Sequence, residues 1–364
     1  MTSVSGQPPP MTVEAPRRVL IISLRRVGLG DVLLSTPMIA DLHRVFPAAR
    51  IEMLVSPEAT PLLEHQPGLA EAIPYDWGHG LRAARRLRAR HYDWVFDLDS
   101  KERTVALCLL SRASVRVGAS GHWYSRFAYT HGVVDHKLRS EYNARARQRL
   151  LEAIGVPTTP TRPRLHLTPD ERSTGRELAR ALGVGDGAVG IHLSSGNRAK
   201  EWRVEGFAEV ARGLAASGFS PLILHGPGDE GLVARLRSLA PETLVAPALP
   251  LRQFLALLAT CQAFVSADNG PAHMAQALDV PTITIFGPSR PVRWTPGDLG
   301  VVVRAEHVPC LECGHSICPI GHDCMVELSG RTVLDAVLRV LQRSSSVSAS
   351  SSRSGWPKEA DAAG

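Results

Sequence analysis

The chain has 364 residues, of which 44% are hydrophobic and 5% aromatic, and its formal charge at pH 7 is +6. This length, with a mean hydropathy of -0.03, predicts a soluble globular protein with two domains that each have a core. Aromatic residues are too few for the mixed basic and aromatic surface of a nucleic-acid-binding protein, so we expect no nucleic-acid partner. The positive charge comes mostly from arginine and favours acidic ligands.

The two ends of the chain differ in composition from the rest. Residues 1–16 contain three consecutive prolines and no basic segment followed by an apolar one, which predicts a disordered leader instead of a secretory signal. Residues 344–364 are rich in serine and alanine and predict a disordered tail. No apolar run reaches the roughly 20 residues that span a bilayer. We therefore expect a cytoplasmic protein, and we take it to be a monomer.

Short apolar segments alternate with helical ones along the whole chain. Helical spacing is clearest from Ile39 to Phe46 and from about Val204 to Leu214. A stretch rich in proline and threonine, near residues 157–170, separates two such series. The predicted strands are, in chain order, 18–24, 51–55, 94–98, 188–193, 221–225, 263–265 and 282–286.

Continuous apolar strands are typical of parallel sheets that helices cover on both faces. The sequence therefore predicts an α/β fold of two Rossmann-like, doubly wound domains, 17–165 and 166–343, that face one cleft. Ligands of such sheets bind beyond the carboxyl ends of the strands. The polar residues directly after each strand are accordingly the candidates for function.

The segment after the first strand contains Gly28, Gly30 and Asp31. It lacks the third glycine of a dinucleotide fingerprint, and no acidic residue is clearly placed for a ribose, so we do not expect an NAD site. The glycines permit a close approach that presents Asp31 to the cleft. A second interpretation makes Asp31 the N-cap of the next helix, with Thr36 and Pro37 as a rival pair.

An arginine-rich tract follows Gly80. It permits contact with a membrane surface, whereas the simpler interpretation is a solvated helix face. Its members are Arg82, Arg85, Arg86, Arg88 and Arg90.

Two loops of the second half have the composition of anion-binding sites. Ser194, Ser195 and Gly196 precede Lys200, and small residues with a compact ammonium fit a diphosphate. A solvent-exposed lysine before a helix is the alternative. In the next loop, Asp229 and Glu230 start a helix, and we expect one of them to cap it and the other to bind a ribose hydroxyl.

The most informative loop lies between the last two predicted strands of the second half. A strand, a short polar loop with glycine and an alanine-rich helix place backbone N–H groups and a positive helix end at one point, where an anion binds. Arg293 and Trp294 follow the last strand and are candidates for a wall of the pocket. The loop consists of Asp268, Asn269, Gly270, Pro271, Ala272 and His273.

Together these loops resemble the glycosyltransferase family 9 heptosyltransferases, which transfer a heptose from ADP-heptose to the lipopolysaccharide inner core. The likeness extends from about Arg18 to Val340. It rests on three sets of residues: Leu29-Gly30-Asp31-Val32-Leu33-Leu34 with Thr36-Pro37, Lys200-Glu201-Trp202, and Asp268-Asn269-Gly270-Pro271-Ala272-His273 with Phe286-Gly287-Pro288.

The resemblance implies a GT-B architecture with the acceptor on the first domain and the nucleotide-sugar donor on the second. It implies an inverting, metal-independent reaction in which Asp31 is the general base and Lys200 lies near the donor phosphates. Asp268 is then a loop organiser or a donor-sugar contact. Gly30 and Thr36 lie on the acceptor side, and the donor diphosphate is surrounded by Ser194, Ser195, Gly196, Asn269, Gly270, Pro271, Ala272 and His273.

The partners implied are an ADP-sugar and a glycan or lipid-linked glycan, with peripheral contact at the inner membrane surface as an option. Two other functions stay open: a sugar-nucleotide epimerase on the same plan, and a nucleotide-sugar-binding protein without turnover.

A cluster of four of the six cysteines lies in one short loop region, 310–324. In a reducing cytoplasm such clustering favours a metal over disulfides. The C-x2-C half-site is well formed, but the other spacings are looser than those of a standard zinc finger. A structural zinc site and unliganded, partly buried thiols both stay open, and we expect no cofactor for catalysis. The four are Cys310, Cys313, Cys318 and Cys324.

Overall fold

The computed structural model describes residues 13–24, 28–134, 140–185, 187–295 and 300–351, with side chains up to residue 343. Three parts of the chain therefore lie outside the described residues: most of the predicted leader, the last part of the predicted tail, and residues 25–27 after the first strand, which include Arg25 and Arg26.

Two parallel sheets of six strands each form the framework. The strand order is β3-β2-β1-β4-β5-β6 in the first sheet and β12-β11-β10-β7-β8-β9 in the second. If the second sheet is numbered from its own first strand, the two orders are identical. The strands are β1 (Arg18–Ser23), β2 (Arg50–Val55), β3 (Glu71–Pro74), β4 (Trp94–Asp97), β5 (Val115–Ala119), β6 (His131–Val133), β7 (Ala188–His192), β8 (Ser220–Ile223), β9 (Leu244–Val245), β10 (Ala263–Ala267), β11 (Thr282–Ile285) and β12 (Gly300–Val303).

Helices cover both faces of each sheet. Within the described residues, none combines the length and the apolar character needed to cross a membrane. The helices are α1 (Leu29–Leu33), α2 (Thr36–Val45), α3 (Gly80–Ala89), α4 (Glu102–Ser111), α5 (Asn143–Glu152), α6 (Pro169–Ala181), α7 (Val204–Ala216), α8 (Glu230–Leu239), α9 (Leu251–Leu258), α10 (Gly270–Ala277), α11 (Pro291–Trp294), α12 (Asp323–Val326) and α13 (Gly330–Ser351).

The alternating side chains of β1 show why the parallel arrangement forms. Val19 and Ile21 are fully buried in one apolar cluster, while Leu20 and Ile22 are fully buried in another on the opposite face. A strand that is apolar on both faces needs a helical layer on each side. The prediction of two doubly wound α/β domains is confirmed.

The structure also contains elements that were not predicted. Strands β3, β6 and β9 are short and partly buried, and they lack a continuous apolar run. Strand β5 and strand β12, which contains three consecutive valines, were also not predicted. Helix α13 continues to Ser351, eight residues into the segment predicted as a disordered tail. Serine and alanine are compatible with a helix, and no proline or glycine follows Gly330 before Gly355.

The two domains are joined by packing as well as by the chain. Leu33 of α1 is fully buried in an apolar cluster made mainly of second-domain residues. The connecting segment binds both sides, because the Arg164 N–H donates to the Thr36 hydroxyl at 3.1 Å and the Leu165 N–H donates to the Ala277 carbonyl at 3.0 Å. Helix α1 is thereby held against the second domain.

Helices α6 and α9 pack so closely that Gly175 has no room for a side chain. A Cβ atom there would lie 2.2 Å from the carbonyl oxygen of Ala256, which is backbone and cannot rotate away. We expect Gly175→Ala to lower the free energy of unfolding by about 1–3 kcal/mol and to lower the melting temperature.

The matched control is Gly231→Ala in the exposed first turn of α8, where a Cβ atom would meet nothing within 4 Å. This variant should be as stable as the parent or more stable, because alanine favours the helix. Equal melting temperatures for the two variants would contradict the packing argument.

Candidate active site

Asp31 is carried by α1, the short helix that follows β1. Gly28 occupies the N-cap position, and Asp31 is the third residue of the helix, so the interpretation of Asp31 as an N-cap is wrong. Helix α2 has Ser35 at its N-cap, with Thr36 and Pro37 in its first turn. The carboxylate of Asp31 therefore caps neither α1 nor α2.

Arg147 of α5 holds Asp31 at two points. One guanidinium nitrogen lies 3.0 Å from Oδ1 of Asp31, and the other donates to the Asp31 carbonyl oxygen. Both side chains are largely buried, at 11% and 13% exposed. This fork orients both the backbone and the carboxylate of Asp31, as guanidinium groups do in buried ion pairs.

Lys200 and Asp268 form a second ion pair, on the other side of the cleft. The distance from Nζ to Oδ2 is 2.6 Å, and Asp268 is 3% exposed. The ammonium also lies 5.5 Å from the centre of the Trp294 ring. A carboxylate beside an anion site is thus compensated by a lysine, a partner that the sequence alone did not reveal.

Asn269 organises the loop after β10. Its Oδ1 accepts a hydrogen bond from the Ala272 N–H and so caps α10, while its Nδ2 donates to the Ser194 carbonyl at 2.9 Å. Nδ2 also lies 3.3 Å from Nδ1 of His192, whose pKa burial lowers to about 4. The two predicted loops of the second domain are therefore tied together.

His273, in the first turn of α10, has an imidazole nitrogen without a partner. Nδ1 is buried and makes no hydrogen bond to the described residues, and Nε2 lies 4.0 Å from Oδ1 of Asp268. Burial lowers the pKa of His273, against the opposing charges of Asp268 and Asp31. The lowered pKa keeps the His273 imidazole neutral at pH 7.

Asp229 and Glu230 lie at the start of α8 and do not line the cavity that most of the other candidates share. Oδ2 of Asp229 accepts hydrogen bonds from the Ser194 hydroxyl at 3.0 Å and from the Gly226 N–H at 3.1 Å, so this residue supports the loop. Glu230 is exposed and accepts from the Gly228 N–H. Glu230 is the one of the two that faces solvent.

Most of the predicted site residues line one cavity of about 530 Å³ between the domains, which we call the cleft cavity. Its volume is within the range of small-molecule sites. Trp294 forms part of its wall, as predicted. Its lining includes Gly30, Asp31, Glu58, Ser194, Ser195, Gly196, Lys200, Asp268, Asn269, Gly270, Pro271 and His273.

A second cavity of about 240 Å³, the side cavity, shares Asp31 and Trp294 with the first. It is lined mainly by first-domain residues that the sequence did not reveal, including Lys101, His122 and Arg147. Lys101 follows β4, His122 follows β5 and Arg147 lies on α5. Of these, only Lys101 could have been found from the sequence, because it follows a predicted strand.

The wall of the side cavity after β4 is shaped by a buried carboxylate, Asp97. It accepts hydrogen bonds from the Tyr129 hydroxyl at 2.8 Å and the Ser100 N–H at 3.0 Å. Burial raises the pKa of Asp97 to about 6.

Thr36 is not brought to either of these cavities. It lines a separate, larger cavity of about 850 Å³ beside the connecting segment, which contains neither Asp31 nor Lys200. Its hydroxyl accepts from the Arg164 N–H, and only 2% of the residue is exposed. The structure gives Thr36 a role in joining the domains.

The cysteine-rich loop lies beside the turn after β11. Burial raises the pKa of the Cys324 thiol to about 11. Within the described residues, no three of these thiols and the nearby imidazoles have ligand atoms within 4.8 Å of one another. A metal would require the loop to close further. Cys108 and Cys261 are buried.

Comparison with known proteins points to one protein family. A family model described as glycosyltransferase family 9 (heptosyltransferase) matches residues 81–324, a stretch that includes Lys200 and Asp268 and begins after Asp31. Lipopolysaccharide heptosyltransferase 3 of Escherichia coli is 26% identical over 287 residues, which cover 73% of this chain and 83% of that protein.

Solved structures share the GT-B fold. The glycosyl transferase family 9 protein from Veillonella parvula DSM 2008 superimposes with a TM-score of 0.78 at 23% identity, covering 90% of this chain and 97% of that one. E. coli ADP-heptose lps heptosyltransferase II gives a TM-score of 0.75 at 21% identity, covering 90% and 99%.

Removing Lys200 should destabilise the protein even without ligand. In Lys200→Met the buried Asp268 carboxylate loses its ammonium partner, which we expect to lower the free energy of unfolding by about 1–3 kcal/mol. The double variant Lys200→Met/Asp268→Asn should recover most of this loss, because a neutral amide needs no cation.

Thermal unfolding of the single and double variants measures both effects. Arg198→Met, at an exposed position in the same loop, is the control and should melt with the parent. A parental melting temperature for Lys200→Met would show that the ion pair is not stabilising.

Proposed function

The chain belongs to glycosyltransferase family 9 and is a glycosyltransferase, and from this premise we propose that it transfers a heptose from ADP-heptose to a lipopolysaccharide core or a related glycan. The names of its relatives, which include lipopolysaccharide heptosyltransferases and an ADP-heptose enzyme, support this donor and this class of acceptor. No observation supports the epimerase or the protein without turnover.

The position of Asp31 between two cavities carries the proposal. The cleft cavity is lined mainly by the loops after β7 and β10 of the second domain, and the side cavity mainly by loops and a helix of the first. A donor in one and an acceptor in the other would meet at Asp31. We therefore assign the donor to the cleft cavity and the acceptor to the side cavity.

Asp31 would act as general base in a single displacement. Its carboxylate takes the proton from the acceptor hydroxyl, whose oxygen forms a bond to the anomeric carbon of the heptose. The bond from that carbon to the diphosphate oxygen breaks, and ADP leaves with the electron pair. Attack from the side opposite to the leaving group inverts the configuration. Arg147 is the positioning residue that fixes the carboxylate.

Lys200 would offset the charge that develops on the leaving ADP. Its ammonium lies in the cleft cavity, which His273 also lines. Asp268 then organises the loop through its pair with Lys200. These groups supply the electrophilic assistance of the proposed reaction, which needs no metal ion.

Two further groups are assigned by position. Backbone around Ser195, Gly196 and Gly270 can approach the diphosphate closely, because little side chain intervenes. Glu230, exposed at the start of α8, is the proposed ribose contact, whereas Asp229 supports Ser194. Gly30, which was expected on the acceptor side, lines the cleft cavity and therefore belongs to the donor side in this assignment.

The cysteine loop is proposed as a structural zinc site apart from the reaction. The C-x2-C half-site of Cys310 and Cys313 would supply two thiolates, and Cys318 and Cys324 of the same loop would supply the other two once the loop closes around the metal. The enzyme is proposed to work in the cytoplasm as a monomer, on an acceptor held at the membrane.

The direct test of the proposed function is acceptor-dependent release of nucleotide. Purified protein is incubated with ADP-heptose, ADP-glucose, UDP-glucose or GDP-mannose, with or without a heptose-deficient lipopolysaccharide core. We expect ADP release only with ADP-heptose and acceptor together, and a product heavier by one heptose. Turnover without acceptor would favour the epimerase, and a UDP-sugar preference would overturn the donor assignment.

Asp31→Asn should lower kcat by a factor of about 10²–10⁴, because the amide cannot take the acceptor proton. Binding of ADP, measured by calorimetry, should stay within a fewfold of the parent value. Glu58→Gln is the comparison, since Glu58 is another carboxylate that lines the cleft cavity. If Glu58→Gln is inactive and Asp31→Asn is active, the base is misassigned.

A further inference from the structure

Three large apolar side chains are exposed on the first domain close to the side cavity. Leu81 is 76% exposed, Trp123 is 78% exposed and Phe127 is 81% exposed. Single exposed apolar residues are common on protein surfaces, whereas a group of them marks a contact surface.

Contacts around the first turn of α4 bring these residues to one place. The guanidinium of Arg103 lies 5.1 Å from the ring centre of Trp77, which precedes α3 and Leu81. Helix α4 also packs against the 3₁₀ turn Trp123–Phe127. The start of α3, the start of α4 and the 3₁₀ turn Trp123–Phe127 therefore form one continuous surface.

This surface borders the proposed acceptor site. Lys101 and His122 line the side cavity, and each directly precedes an element of the surface. The start of α3, the start of α4 and the 3₁₀ turn all follow strands of the first sheet, at its carboxyl edge. Trp123 directly follows His122, a lining residue of the side cavity.

The charge of the surface is positive. Helix α3 contains four arginines and no acidic residue, and Arg103 and Arg126 are exposed on the neighbouring elements. Within segments 76–90, 101–111 and 122–127, the acidic residues are Asp76 and Glu102. Asp76 lies 2.8 Å from Nδ1 of His79. The arginines therefore outnumber the acidic groups that could neutralise them.

We infer that this surface is the site at which the protein docks on an anionic lipid bilayer. We call it the docking rim and define it by Leu81, Arg82, Arg103, Trp123, Arg126 and Phe127. Tryptophan, phenylalanine and leucine insert at the interface of a bilayer, and arginines bind its phosphates. The inference rests on the proposed function in one respect, that the acceptor is lipid-linked and must reach the side cavity from the membrane.

Co-sedimentation with vesicles tests the docking rim. We expect the full chain to bind vesicles of phosphatidylethanolamine and phosphatidylglycerol at 3:1, to release with rising salt, and to bind phosphatidylcholine vesicles at least tenfold more weakly. Leu81→Ser/Trp123→Ser/Phe127→Ser should bind the anionic vesicles at least tenfold more weakly. Each of Arg82→Gln and Arg126→Gln should weaken binding about fivefold.

The matched control is Ile317→Ser/Ile320→Ser in the cysteine loop of the second domain, where the two side chains are 84% and 59% exposed. It removes exposed apolar area away from the docking rim and should bind vesicles like the parent. Thermal unfolding of every variant verifies that the fold is intact. Parental vesicle binding by the triple serine variant, or a lack of binding by the parent, would overturn the inference.

Transfer assays separate this inference from the proposed function. On a deacylated, water-soluble acceptor the triple serine variant should keep the parental kcat, while on acceptor in anionic vesicles its rate should fall at least tenfold. Equal loss on both acceptors would overturn the docking role. If the protein binds vesicles through the docking rim but transfers sugar from no nucleotide sugar, the docking inference is supported and the proposed function is contradicted.

Discussion

Helices α1 and α10 meet so closely that a Cβ atom on Gly30 would lie 2.7 Å from Cδ2 of His273. Glycine at this position lets a helix of the first domain rest on a helix of the second, and the burial of Leu33 in the shared apolar cluster stabilises the contact. Because Asp31 follows Gly30 and Asp268 precedes α10, this contact places them in the same cavity. The site thus depends on one close approach between domains.

Ion pairs then set the electrostatics of the cleft. Each of the two carboxylates that the proposed reaction depends on has a cation from elsewhere in the chain, Arg147 for Asp31 and Lys200 for Asp268. Burying a carboxylate without such a partner is unfavourable by several kcal/mol, so the pairs permit dense charge in a closed space. They also hold the side chains in one orientation, which a general base and a phosphate site both require.

The repeated topology explains why much could be predicted. Both sheets consist of parallel strands with the same order, and such strands are continuous apolar runs that end in polar loops. Asp31, Lys200 and the loop from Asp268 to His273 follow those runs directly, so their position at the cleft was predictable. Strands β3, β6 and β9 were not, because they are short, partly buried and without an apolar run in the sequence.

The sequence by itself determined the fold class, the family resemblance and the loops that we propose carry the chemistry, because these depend on local patterns of apolar and polar residues. Only the tertiary structure decided which groups meet. Arg147 is 116 positions from Asp31, and Lys200 is 68 from Asp268. The tertiary structure also places Thr36 at the domain junction and not on the expected acceptor side. Pairings over such separations result from the packing of α1, α5 and α10, and no local pattern encodes them.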